Sequence, residues 1–155
     1  MPLSADDRFA LLDLIARYNL AADEKDVEAT VAYYTDDGQI SGDMSTGRGK
    51  DAMREGLPKI FQAEVTLKRH IATNVRFGEP NASGEVEVGY VLLVMEAGAI
   101  PAAVATSMIT DTFRRVDGTW KVAHHHVAVD PSARWMVKAA EKVQAGIEKV
   151  KDALT

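Results

Sequence analysis

Apolar positions recur at three- and four-residue intervals early in the chain and at two-residue intervals in its second half. That change of period predicts helices first and strands afterwards. Ser4 is placed to cap a first helix, with Asp6 and Asp7 complementing its dipole. Phe9, Leu12, Ile15, Tyr18 or Asn19, and Ala22 mark its apolar stripe over about 5–23. Asp26 is placed to cap a second short helix carrying Val27, Val31 and Tyr34, and Asp36-Asp37-Gly38 is expected to stop it. A short strand over 39–43 and a Gly47-Arg48-Gly49 turn then lead into a third helix over about 50–62.

From Val65 the pattern reads as four long strands, over about 65–77, 85–97, 104–116 and 119–130. The turn cluster Glu79-Pro80-Asn81-Ala82-Ser83-Gly84, a connector at 98–101 and the hairpin turn Asp117-Gly118 separate them. Consecutive strands on short turns make an antiparallel sheet, and helices gathered at the front of the chain give an α+β architecture. Beyond Pro131, Ser132 is placed to cap a last helix over about 133–154. Its residues Met136, Ala140, Val143, Ile147, Val150 and Leu154 form a heptad-like seam. The expected organisation is one domain over 1–131, with 132–155 as an amphipathic helix that docks on it or on a second subunit.

Composition narrows the function. The chain has 155 residues, 46% of them hydrophobic, enough to bury a core without disulfide or metal. A net charge of −5 argues against a nucleic-acid or anionic-membrane partner. The absence of cysteine excludes thiol nucleophiles, disulfides and Cys-ligated metals. The first residues do not read as an export signal and no apolar run reaches the ~20 residues of a membrane helix, so a cytoplasmic protein is expected.

Four segments, in order, resemble the SnoaL-like branch of the NTF2-like superfamily, which includes the scytalone dehydratases. They are Arg17-Tyr18-Asn19-Leu20-Ala21-Ala22-Asp23-Glu24-Lys25-Asp26, Tyr34-Thr35-Asp36-Asp37-Gly38, Arg69-His70-Ile71-Ala72-Thr73-Asn74-Val75 and Asp117-Gly118-Thr119-Trp120-Lys121-Val122. The resemblance implies a cystatin-like cone: helices packed in a curved, mixed but mainly antiparallel sheet around a deep apolar pocket. Scytalone dehydratase, bile acid 7α-dehydratase and hexachlorocyclohexane dehydrochlorinase pair an Asp near the end of the first helix with a His on the sheet. By resemblance those roles fall on Asp23 and His70, and the Tyr of the dehydratases on Tyr18.

The chemistry of the three types suits such roles. A neutral imidazole is a competent base near pH 7, and a carboxylate on its second nitrogen fixes the tautomer and stabilises the imidazolium. A buried phenol donates to an oxygen that gains charge. Strand alternation expects Asn74 on the face of His70, as a second donor. Asn74, Tyr90, His124 and His126 are the substrate-binding candidates. In the run His124-His125-His126 the outer two share one face. One metal could recruit only two of the run, whereas catalytic zinc usually takes three protein ligands, so no metal site is expected. Whether the run shapes the pocket or forms a satisfied core pair stays open, and the family more often has arginine near it.

The expectation is therefore a cofactor-independent lyase, dehydratase-like, or an isomerase, acting on a small hydrophobic cyclic molecule. The alternatives are a polyketide cyclase or ketosteroid isomerase-like enzyme, and a non-catalytic ligand-binding or assembly module on the same cone. The resemblance also implies a homodimer.

Overall fold

The computed structural model describes residues 2–64 and 66–131, so the expected C-terminal helix lies outside the described residues. Helix α1 (Ala5–Asp23) starts where the Ser4 side chain accepts the backbone N–H of Asp7. It ends in a closing motif in which Lys25, at φ 56°, and Asp26 return their N–H groups to the carbonyls of Ala22 and Ala21. This reversal leads at once into α2 (Val27–Ala32), capped by Asp26. Helix α3 (Lys50–Ala63) follows the first strand.

The strands are β1 (Tyr34–Gly42), β2 (Lys68–Phe77), β3 (Val86–Glu96), β4 (Ala102–Val116) and β5 (Thr119–Val129). They form one sheet in the order β1-β5-β4-β3-β2, parallel between β1 and β5 and antiparallel elsewhere. The mixed sheet agrees with expectation, but β1 starts five residues early. Asp36-Asp37-Gly38 does not stop a helix; it lies inside the strand, at an irregularity between Tyr34 and Gln39 in the pairing with β5. Gly38 is needed there, because a Cβ would sit 3.0 Å from both the Thr35 carbonyl oxygen and the Tyr34 Cβ.

Two further irregularities decide which side chains face the helices. On β2 the register slips between Thr73 and Arg76, with Asn74 at φ 54°. On β5 it slips next to Val122, so that Thr112 pairs with His124 but Phe113 with Val122. One extra residue reverses the alternation of everything beyond it. The inward set of β5 is therefore Trp120 and Val122, then His125, Val127 and Val129.

The core between helices and sheet contains Leu11, Ile15, Tyr34, Met53, Leu57, Val86, Val88, Phe113 and Val122. Fully burying side chains of this size is worth about 1.5–3 kcal/mol each. Helix α1 is pinned along its length: Asp7 accepts from Trp120 Nε1 and Arg115 on the sheet, Tyr18 reaches β4, and Asp23 meets β2. Burial falls along β3 toward Glu96 and along β4 toward Ala102, which makes that end of the cone its open end.

Candidate active site

His70 lies near the start of β2, an edge strand, in register with Val94 of β3 at the open end of the cone. An edge strand leaves alternate N–H groups without a ladder partner. At His70 that group is taken by Asp23, whose two carboxylate oxygens both lie 3.2 Å from the backbone nitrogen. The His70 ring donates its Nδ1–H to Asp23 Oδ1 at 2.6 Å. The closing motif of α1 is what aims the Asp23 carboxylate at the strand edge. With Nδ1 committed to the carboxylate, Nε2 carries the lone pair. It faces Glu64 Oε1 at 3.7 Å, and the two side chains are 14% and 16% exposed, partly open to solvent. An open cleft of about 450 Å³ is lined by Lys25, Val27, Pro58, Phe61, Gln62 and Glu64. Burial raises the Glu64 carboxyl above its ordinary value; the charges of His70, Lys25 and Lys68 oppose the rise and that of Asp23 adds to it.

A second His–Asp pair lies deeper. Asp111 on β4 is fully buried, and its Oδ1 accepts Nδ1–H of His125 at 2.6 Å. Its Oδ2 accepts the hydroxyls of Tyr18 at 2.6 Å and Tyr90 at 3.0 Å, and these two hydroxyls also touch each other. Three donors around one carboxylate are what a buried negative charge requires. Burial first, and the Asp111 charge second, push the phenols of Tyr18 and Tyr90 well above their ordinary value; both act as donors.

The structure therefore brings Asp23 and His70 together but seats Tyr18 elsewhere. Its hydroxyl joins Asp111 and Tyr90, with His125 Nδ1 at 3.5 Å, and it bonds neither Asp23 nor His70. Tyr90 is inside the cone as a partner of the same carboxylate. Asn74 corrects the alternation argument: the bulge takes it off the His70 face, leaving it exposed while Val75 turns inward. His124 and His126 are corrected too. Counting by twos from Trp120 and Val122 points them inward, but the β5 slip reverses the phase and they lie on the outer face. There Ser41 Oγ bridges His124 Nε2 at 2.7 Å and His126 Nδ1 at 2.9 Å. Partial burial and the neighbouring rings hold His124 below the ordinary imidazole value.

Three residues of these clusters went unassigned by the sequence. Asp111 alternates inward with Ser107, Ile109 and Phe113, so a lone acid on an apolar stripe was its available signal. His125 was hidden by the bulge. Glu64, one residue past a helix, carries no local mark. Among the described residues no group of three or more His, Cys, Asp or Glu is placed to hold a metal ion. Nor is any described helix long and apolar enough to cross a membrane.

A mixed five-stranded sheet packed on helices in this order defines a class of small cone-shaped domains. The chain belongs to the SnoaL-like domain family, whose model matches residues 4–126. Solved structures agree on the cystatin-like, NTF2-like fold. A Nostoc punctiforme protein of unknown function with a cystatin-like fold is 26% identical, with TM-score 0.75, over 85% of this chain and 97% of that one. A Catenulispora acidiphila protein in complex with S-DNPA is 21% identical, with TM-score 0.71, over 82% and 96%. A scytalone dehydratase candidate from Novosphingobium aromaticivorans is 19% identical, with TM-score 0.65, over 80% and 84%. No curated protein sequence matches the chain.

Proposed function

We propose that this protein is a cofactor-independent lyase or isomerase in which His70 removes a proton beside an activating carbonyl of a small hydrophobic cyclic molecule. The observation that carries the reading is the His70 ring itself: Nδ1 fixed on Asp23 at 2.6 Å and Nε2 at the partly open end of the cone. Asp23 holds the reactive tautomer and stabilises the imidazolium that forms. The electron pair released from carbon moves toward the carbonyl oxygen and then either expels a leaving hydroxyl or is reprotonated one position along. Tyr18 and Tyr90 hold the floor of the cone through Asp111. For either to serve a substrate oxygen it must exchange its bond to that carboxylate.

Incubation with a panel of cyclic β-hydroxy ketones tests the lyase reading, since loss of water gives a conjugated enone visible by its ultraviolet absorbance. The expected result is enone formation that falls about 10²–10⁴-fold in His70→Ala. A protein that retains such a molecule through purification and returns it unchanged would instead fit the ligand-binding module.

The homodimer enters the reading through the outer face of the sheet. Ile71 and Met108 are 46% and 39% exposed there, in register with the half-buried Leu93 and Val91 of β3. A second copy covering this apolar patch gives a dimer by light scattering at micromolar concentration; a monodisperse monomer rejects it.

A further inference from the structure

The base needs a partner that returns a proton, and the residue expected to supply it, Tyr18, is tied to Asp111. The group that faces the free nitrogen of His70 is another one. Glu64 Oε1 stands 3.7 Å from Nε2, just beyond hydrogen-bond length, and the Asp23 carboxylate occupies the opposite side of the same ring. We propose that Glu64 is the acid partner of His70: as a neutral carboxylic acid it gives its proton to the leaving oxygen, and as a carboxylate it takes back the proton that His70 removed from carbon. The inference rests on the reading of His70 as the base.

The step balances. The C–H bond breaks and its proton goes to Nε2, while the electron pair forms the new C=C bond. The C–O bond breaks and the Glu64 proton leaves with that oxygen as water. The imidazolium Nε2–H then passes its proton across to the Glu64 carboxylate, which restores both groups.

Burial favours the neutral acid, and the surroundings let the pair share one proton. Asp23 from α1 and Glu64 from the segment after α3 flank the ring. Lys25, from the turn after α1, donates to the Glu64 backbone carbonyl. The charge of Lys68 of β2, whose ammonium lies 3.8 Å from Glu96 of β3, also acts on Glu64. With one proton between the two groups, the pair interconverts between imidazolium with carboxylate and imidazole with carboxylic acid, and the second form is the reactive one. Activity then follows a bell, lost in acid when both groups hold a proton and lost in alkali when neither does.

The substrate-free test is a nuclear magnetic resonance titration of the His70 imidazole in the full chain. Glu64→Gln should lower its midpoint by about one pH unit, because a nearby carboxylate stabilises the charged ring, whereas Glu96→Gln should leave it in place. With the cyclic β-hydroxy ketones, Glu64→Gln should slow water loss about 10²-fold and remove the alkaline limb of the profile. Glu64→Asp should restore that limb. An unmoved midpoint, or an unchanged bell in Glu64→Gln, overturns the acid role and leaves the base reading intact. A moved midpoint with no water loss from any ketone, even by the wild type, overturns the base reading and the acid role together.

Discussion

Among the described residues a His–Asp pair occurs twice, and the two copies differ in everything around them. At the floor of the cone, Asp111 is fully buried and receives His125, Tyr18 and Tyr90, with donors on both of its oxygens. At the open end, Asp23 receives the ring and backbone N–H of His70, and the far nitrogen of that ring looks toward Glu64. A His–Asp bond of 2.6 Å in both places carries no functional meaning by itself. Its meaning comes from where the remaining atoms point. The deep carboxylate gathers one helix and two strands into a fixed arrangement, whereas Asp23, itself buried, holds a ring whose far nitrogen makes no short hydrogen bond and faces Glu64 at 3.7 Å, the geometry on which the proposed base role rests.

That contrast predicts opposite consequences for parallel substitutions. The largest is Asp111→Ala, which leaves His125 and two tyrosine hydroxyls without their common acceptor. Breaking a buried, hydrogen-bonded charge set typically costs about 3–5 kcal/mol. For a domain of this size that lowers the melting temperature by roughly 6–20 °C, measurable by calorimetry. A variant that melts with the wild type would remove the floor cluster from the account. Tyr90→Phe deletes one donor to a buried charge and should cost about 1–3 kcal/mol; a chemical denaturation midpoint reads the difference.

At the open end the order reverses. Asp23→Asn should reduce turnover far more than it reduces stability, because it removes the acceptor that fixes the His70 tautomer while Asp23 is only one of several pins on α1. The check is the pairing of kcat with melting temperature in one preparation. If stability falls as far as in Asp111→Ala, the two pairs are both structural.

Alkaline titration sharpens the same comparison with a smaller effect. Tyr18, Tyr34 and Tyr90 have phenols raised above the unfolded value of about 10 by burial and by Asp111. Above that pH the unfolded chain loses protons that the native core keeps. Their contribution is therefore fully present below about pH 10 and is lost as pH rises toward the native values. Phenolate absorbance from the three should appear together with unfolding, not before it.

Much of this design is legible in the sequence, and the exceptions share a cause. The limits of α1 follow from Ser4 and the three- and four-residue spacing, and the hairpins of β3, β4 and β5 follow from alternation and turn chemistry. Asp23 and His70 were legible through family resemblance, and their contact could then be expected from the chemistry of a base and its orienting carboxylate. Asn74, His124 and His126 were misplaced because alternation counts faces correctly only while the register holds. A bulge adds one residue and inverts the count, and neither Val75 nor Ala123 announces it. The early start of β1 has a similar origin: Asp36-Asp37-Gly38 keeps its turn chemistry, but as an outward irregularity within the strand, between the pairings of Tyr34 with Val122 and of Gln39 with His124, with Asp37 bridged to Arg48 and Arg114. Glu64 escaped notice because an acid after a helix is ordinarily solvated; only the fold brings it to His70.

Whether His70 or His125 is the reactive member can be decided without knowing the natural substrate. Cyclic ketones are incubated with the protein in deuterium oxide, and exchange at the carbon beside the carbonyl is followed by proton resonance loss. The wild type should catalyse the exchange. His70→Ala, when folded, should lose it by about 10²–10⁴-fold, while His125→Gln, when folded, should still exchange. Exchange that persists in His70→Ala and disappears in folded His125→Gln would place the chemistry at the floor of the cone and contradict the account.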